Sequence, residues 1–435
     1  MHDERYEKTA EASTTSRNGM NGMNGATSAL LAALIFLVAL NLRPAIAAVG
    51  PVLTRIGGDM GWGESVLGVL GAMPLWAFAV VSPLVRFVTA RIGADRTILV
   101  ALLVLAAGDA TRSFGGPVGV WLGTVAVGAG IAAGNVLVPV IAKRDYADHV
   151  PMATGVYSAC ITTGSAVAGL TAAPLAAAFG GWRPALAIWA VPPLVVALLW
   201  LSRVIRERTT SMTESSATES SATADHRPDE GSAGEPAIES VVHVPADDRP
   251  LWCRPMTWYV TLFMGLQSAA FYTMSNWLPS VVTAVGFSDS VAGVHLFVFQ
   301  SLGILSGLLI PTLMRARGNQ ICAAMTASVP MVVAGLGWML LPRLSLLWSV
   351  IGGMGQGAAL VVALTLISLR GRTAAETVAL SGMAQSLGYL LASIGPLAFG
   401  TLAELSGGWA VPLVLFTALA SLQCVIAVFA GRERV

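Results

Sequence analysis

Long apolar runs dominate the chain, and short polar clusters interrupt them at intervals. A helix needs about 20 mainly apolar residues to cross a bilayer. Nine stretches free of Asp, Glu, Lys, Arg and His meet or approach that length: 65–85, 113–142, 150–182, 184–202, 255–288, 318–342, 344–369, 377–403 and 405–431. Three more spans carry ionisable residues. Residues 26–53 hold Arg43, 97–114 hold Asp109 and Arg112, and 290–314 hold His295. The pattern predicts twelve transmembrane helices and an all-α membrane protein. The first run follows a polar tail and is too long for the apolar region of a signal peptide, so it reads as a retained span.

Composition agrees. Of 435 residues, 55% are hydrophobic and 11% charged, against about 25% charged in a typical soluble domain. The mean hydropathy is +0.72. This excludes a soluble enzyme and a disordered regulator. A net charge of +1 leaves no surplus for a nucleic acid. Cys160, Cys253, Cys322 and Cys424 form no CxxC pair, so neither a metal site nor a disulfide framework is expected, and no cofactor motif is present.

Where the charges sit fixes an orientation. With an even number of spans both termini share a side. If that side is the cytoplasm, all Lys and Arg except Arg43, Arg55, Arg112, Arg183 and Arg343 fall on it. The positive-inside rule then predicts cytoplasmic termini in the inner membrane. The Ser-, Thr- and Glu-rich stretch 206–254 is too polar to fold alone. The expected organisation is a disordered tail 1–26, a six-helix bundle 27–205, a flexible cytoplasmic linker 206–254, a second six-helix bundle 255–431 and a short tail 432–435.

The halves repeat at an offset of 225 residues. MGWGESVLGVL from Met60 aligns with VGFSDSVAGVH from Val285, including Gly61/Gly286, Ser65/Ser290, Gly68/Gly293 and the acidic pair Glu64/Asp289. The same offset pairs Gly93 with Gly318, Gly128 with Gly353 and Gly130 with Gly355. Six spans per half make the repeat parallel, as in two-bundle carriers with an axis along the membrane normal.

Four segments carry a family likeness. NLRPAIAAVGPVL (41–53), GIAAGNVLVPVIAKRD (130–145), GLQSAAFY followed by NWLP (265–279) and LSGMAQSLGYLLASIGPLAFG (380–400) resemble the major facilitator superfamily. Within it, they are similar to the branch of cyanate permeases and nitroimidazole transporters. The resemblance implies two six-helix bundles rocking about a central site, and cyanate-like anions or nitroaromatic compounds as cargo. Between spans 2 and 3 the superfamily carries a charged loop motif. Here RFVTARIGADR supplies Gly93, Arg91 and Arg96, with Ala90 where the family has Asp. Arg91 and Arg96 are therefore gating candidates by resemblance.

Arg43 is the sharpest single feature, because an arginine near the bilayer midplane is costly unless it has a partner or a task. Its guanidinium stays charged and suits a planar anion. The plainer reading is a structural arginine held by carbonyls or by Asp109. Pro44 removes a backbone hydrogen bond and predicts a kink that exposes carbonyls. Asn135, Gln267, Tyr272, Gln300, Gln356, Gln385 and Tyr389 fall at mid-span depth and are candidate solute contacts, or else helix–helix hydrogen bonds. The repeat offset also sets Ser268 opposite Arg43. Trp76 and Tyr157 either wall the cavity or pack. Asp109 with Arg112 reads as an interfacial ion pair or a coupling gate, and His295 as an interfacial residue or a titrating one.

With no P-loop and no catalytic constellation, the expected function is secondary transport of a small anionic or polar solute, with a proton or counter-anion as possible coupling partner, by a monomer in the bilayer. Two alternatives stay open. An exporter of lipophilic cations needs a carboxylate facing the cavity, and a non-transporting sensor needs an output domain.

Overall fold

The computed structural model describes residues 31–146, 149–205, 250–314, 319–371 and 374–432. The expected tail 1–26, nearly all of the linker 206–254 and residues 433–435 lie outside them. So do Arg315, Arg317 and Gly318 of the second loop copy. Among the described residues there is no strand. In chain order the spans are α1 Leu31–Met60, α2 Glu64–Ile92, α3 Ala94–Phe114, α4 Gly116–Asp145, α5 Val150–Ala178 and α6 Trp182–Ile205. The second half contains α7 Pro255–Ala284, α8 Asp289–Met314, α9 Ile321–Leu340, α10 Ser345–Arg370, α11 Ala374–Ser406 and α12 Ala410–Gly431.

Eleven of these are long and apolar enough to cross a membrane. The exception is α7. Its 30 residues suffice in length, but it carries Gln267, Ser268, Tyr272, Thr273, Ser275 and Asn276 in mid-helix. All six are buried. Because the middle of α7 lies among its neighbours and beside the central space between the halves, it need not be apolar towards lipid. The other spans leave Leu, Val and Phe exposed on their outer faces, among them Leu122, Leu198, Leu309 and Leu340, as helices in hydrocarbon do.

α1 is broken. It is helical over 31–40, turns at 41–43, and resumes as Pro44–Ala47, a 3-10 turn at Gly50–Val52 and Leu53–Met60. Pro44 has no N–H to give the carbonyl of Leu40, and its ring pushes the residue before it out of the helical region. Arg43 accordingly sits at φ −126°, ψ −23°. The kink expected from Pro44 is therefore present.

The repeat reappears as packing. Gly68 lets α2 approach the carbonyls of Pro396 and Leu397 on α11, and Gly293 lets α8 approach those of Gly169 and Leu170 on α5. These are equivalent contacts in the two halves, and both cross from one half to the other. Gly128 seats α4 on Pro74 and Ala77 of α2, as Gly353 seats α10 on Phe299 of α8. Gly130 meets Ala101 and Leu105 of α3, as Gly355 meets Ala327 and Met331 of α9. The offset of 225 is a record of which helices touch, since only a residue without a side chain permits such close approach.

One end of the first half is tied by charge. Asp95, buried at the start of α3, accepts from Arg144 at 2.7 Å and from Arg203 at 2.5 Å. Arg203 also reaches Asp145 at 2.5 Å and the Leu31 carbonyl at 3.0 Å. α1, α3, α4 and α6 are thereby joined at the face rich in basic residues. All four belong to the same half. Arg91 is exposed and Arg96 half-buried nearby.

Gly353→Leu should lower thermal stability in detergent by about 1–3 kcal/mol through overpacking against Phe299, whereas Gly382→Leu, which meets open space, should leave it unchanged. Unfolding followed by fluorescence on both variants checks this.

Candidate functional site

A cavity of about 370 Å³ lies between the halves. Its walls come from α1, α5, α7, α8, α10 and α11. It extends from the level of Arg43 towards the end where α5 begins, at Thr154, and where α8 ends, at Pro311. This is the basic-rich face.

The α1 break delivers Arg43 into that wall. Its guanidinium carbon stands 4.7 Å from the ring centre of Phe271 and 5.3 Å from that of Tyr272, so a residue of the first half rests on aromatic faces of the second. Among the described residues no carboxylate pairs with it, and its buried Nε has no hydrogen-bond partner in the protein. Asp109, the partner the plainer reading offered, is taken by Arg112 at 2.5 Å. Read from the sequence as an interfacial ion pair or a coupling gate, this pair has both side chains buried, at 0% and 2% exposure.

Around Arg43 the walls are aromatic and amide. Tyr272 meets Phe78 and Tyr389 edge-on, at centroid distances of 6.3 and 6.4 Å. Gln356 donates to the Gln267 side-chain oxygen at 3.2 Å, and Gln267 donates to the Ser268 hydroxyl at 2.7 Å. This chain leaves several buried polar atoms without a protein partner: the Tyr272 hydroxyl, the Gln356 oxygen, the Ser165 hydroxyl and both amide atoms of Gln300. A buried group left unpaired costs about 1–3 kcal/mol, so this wall is built to be met by something polar.

Of the residues expected to contact solute, Arg43, Gln267, Tyr272, Gln300, Gln356 and Tyr389 line this one cavity, together with Ser268. Asn135 and Gln385 do not. Asn135 is half-buried on α4, and Gln385 donates to Ser381 one turn back. His295 is engaged elsewhere. Its Nδ1 donates to the Val291 carbonyl, which in the neutral ring leaves Nε2 to accept from the Ser345 hydroxyl, at 2.8 and 2.9 Å. Trp76 packs between the halves and donates to Ser393 at 2.8 Å. Sequence reasoning missed the polar stripe of α5. Thr154, Ser158, Thr162 and Ser165 all line the cavity, and their spacing of four, four and three was a readable signal of one helix face.

On the opposite face the halves are joined. Arg55 of α1 pairs with Asp289 of α8 at 2.6 Å. The Ser65 N–H at the start of α2 donates to Glu404 of α11 at 2.7 Å, and Asn276 reaches the Gly71 carbonyl at 3.4 Å. The cavity is thus sealed on one side and extends to the other.

Long apolar helices in two packed halves, around a cavity closed on one face and bordered by Arg43, define a multi-pass membrane carrier. Residues 29–393 match the family model of the Major Facilitator Superfamily, and the chain belongs to that family, whose members are transporters and not enzymes. The chain is 33% identical over 400 residues to the 2-nitroimidazole transporter of Escherichia coli (strain K12), covering 92% of this chain and 95% of that protein. To the cyanate transport protein CynX of the same organism it is 24% identical over 377 residues, covering 86% and 90%. Its fold is similar to that of a D-xylose-proton symporter, with TM-score 0.69 and 16% identity over 92% of this chain and 97% of that one.

Gln300→Leu should leave thermal stability unchanged or raise it, because no protein hydrogen bond is lost. Gln267→Leu should lower it by about 1–2 kcal/mol, because Ser268 loses its donor and Gln356 keeps only the Gln267 backbone carbonyl, at 3.3 Å. Melting curves of the two purified variants make the comparison.

Proposed function

We propose that this chain is a secondary carrier of the inner membrane, with both termini in the cytoplasm, that takes up a small anionic or polar solute at Arg43. The observation that carries this reading is the Arg43 guanidinium in the cavity wall with no carboxylate beside it. A fixed positive group there attracts an anionic or strongly polar oxygen. The partnerless atoms add a second requirement. The Gln300 and Gln356 oxygens accept hydrogen bonds, so a solute that also offers an N–H or O–H satisfies them. The aromatic walls and the cavity's volume favour a flat, conjugated solute of one ring over a triatomic anion. A nitroaromatic compound of the kind named for the 2-nitroimidazole transporter meets these terms better than cyanate does.

Transport proceeds by alternating exposure of the cavity to the two faces, driven by a gradient of the solute, a proton or a counter-anion. The rocking surfaces are the glycine-lined contacts of α2 with α11 and of α5 with α8. Export of lipophilic cations finds no support in the cavity wall, which among the described residues holds neither Asp nor Glu.

Uptake of labelled 2-nitroimidazole, benzoate and cyanate into proteoliposomes tests the reading. Transport of 2-nitroimidazole should exceed that of cyanate. Arg43→Ala should raise KM or reduce flux by about 10- to 100-fold, the scale of a lost charged hydrogen bond, and Arg43→Lys should fall between. Wild-type flux and affinity in Arg43→Ala would end the proposal. Alternating exposure has its own test. In a chain with its four cysteines removed, Arg55→Cys and Asp289→Cys joined by a short bis-methanethiosulfonate cross-linker should stop uptake, and reductive cleavage of its disulfides should restore it. Undiminished uptake by the joined protein contradicts a rocking mechanism.

A further inference from the structure

The break in α1 explains why Arg43 leaves its helix, but not what holds it where it stands. A turn of 3-10 character follows Pro44, and the Val49 N–H bonds the Ile46 carbonyl at 3.2 Å. In a continuous helix that N–H would serve the carbonyl of Ala45. The Ala45 carbonyl, two residues from Arg43, is therefore released from the ladder at a depth where no bulk water reaches it. Arg112 of α3 takes it up. One terminal nitrogen donates to the Ala45 carbonyl at 2.8 Å, and the other to Asp109 at 2.5 Å. The fork of one guanidinium thus joins a fixed carboxylate on α3 to the freed backbone of α1.

The surroundings leave the break little room. Gly164 of α5 lies against the Leu40 carbonyl, so that a methyl group there would strike it, and Gly134 of α4 lies against the Leu42 side chain. Gly123 of α4 abuts the backbone of Arg112 and Gly108, which fixes the height of α3 against α4. The break is clamped from three sides, and only the Arg112 contact is a directed, charged hydrogen bond.

We propose that Arg112 and Asp109 are positioning residues. Through the Ala45 carbonyl they set where the Arg43 guanidinium lies over Phe271 and Tyr272, and so they tune solute affinity without touching solute. The pair lies outside the cavity lining. The inference rests on Arg43 being the solute-binding group.

The test separates a positioning role from a merely structural one. Removing Arg112 alone strands a buried carboxylate and endangers folding, so the informative variant is Asp109→Leu with Arg112→Met, since an apolar replacement of a whole buried pair is often neutral for stability. In proteoliposomes with labelled 2-nitroimidazole, this variant should raise KM about tenfold, the worth of one charged hydrogen bond, while the maximal rate stays within about twofold. Arg112→Lys, which keeps the charge and one donor at a time, should recover part of the affinity. Hydrogen exchange, which needs no solute, should speed up in peptides spanning 41–47 of the double variant. A monodisperse double variant with unchanged KM, or with unchanged exchange over 41–47, overturns the positioning role. A fall in maximal rate at constant KM overturns it too. Arg43→Ala runs alongside. If it keeps wild-type KM, the recognition reading fails with everything built on it. If it loses affinity while the pair's variants keep theirs, only the positioning role fails.

Discussion

Hydrocarbon offers no water to a backbone N–H or C=O, so a helix that breaks inside the membrane must find partners for every group it releases. Pro44 imposes such a break on α1, and much of the functional architecture answers it. The Ala45 carbonyl goes to Arg112. The Asn41 side chain bends back to the Leu37 carbonyl at 2.8 Å. Glycines on α4 and α5 let neighbouring helices close around the irregular backbone. Freed from the helical path, Arg43 lies across the boundary between the halves and rests on two aromatic rings of α7. The same backbone defect that costs hydrogen bonds places the charge.

Much of this was legible in the residues, for stated reasons. Twelve apolar runs and a 225-residue offset follow from composition and identity alone, and the offset survives as equivalent glycine contacts. Arg43 and Pro44 stood out because each is expensive in a membrane helix. The remaining site residues were harder. Depth along a helix can be counted from its ends, but the direction a side chain faces depends on how the helix is rotated against its neighbours. Gln385 and Tyr389 share a face, yet only Tyr389 borders the cavity. Asn135 has the right depth on a helix that contributes nothing to the wall. Asp109 and Arg112 lie near a helix end, and their burial comes from the helices packed around α3, chiefly α4 and α6. The seal between Arg55 and Asp289 joins positions 234 apart, and no spacing rule reaches that far.

The scaffold is nearly twofold, but the site is not. The repeat mate of Arg43 is Ser268, and both border the cavity. One half brings a permanent charge on a broken helix, and the other brings amides and rings on an unbroken one. A duplicated frame with unlike contents can hold a solute by one end and recognise it by the other, while its glycine-lined contacts between the halves remain matched. The contacts that close the far face are modest. The Arg55–Asp289 pair is about one-third exposed, and such pairs contribute at most about 1 kcal/mol. Together with close glycine packing, this gives a closure that can be released without a large energetic penalty.

The polar, buried middle of α7 has a consequence for how the protein enters its membrane. A segment holding so many hydrogen-bonding side chains gains little by partitioning alone into lipid. It becomes stable there only when partners such as α10 and α11 arrive to cover it. Settling α7 in the bilayer therefore depends on the helices packed against it and not on its own oiliness. A tally of crossings by mean hydropathy along each helix passes over α7 and counts eleven among the described residues.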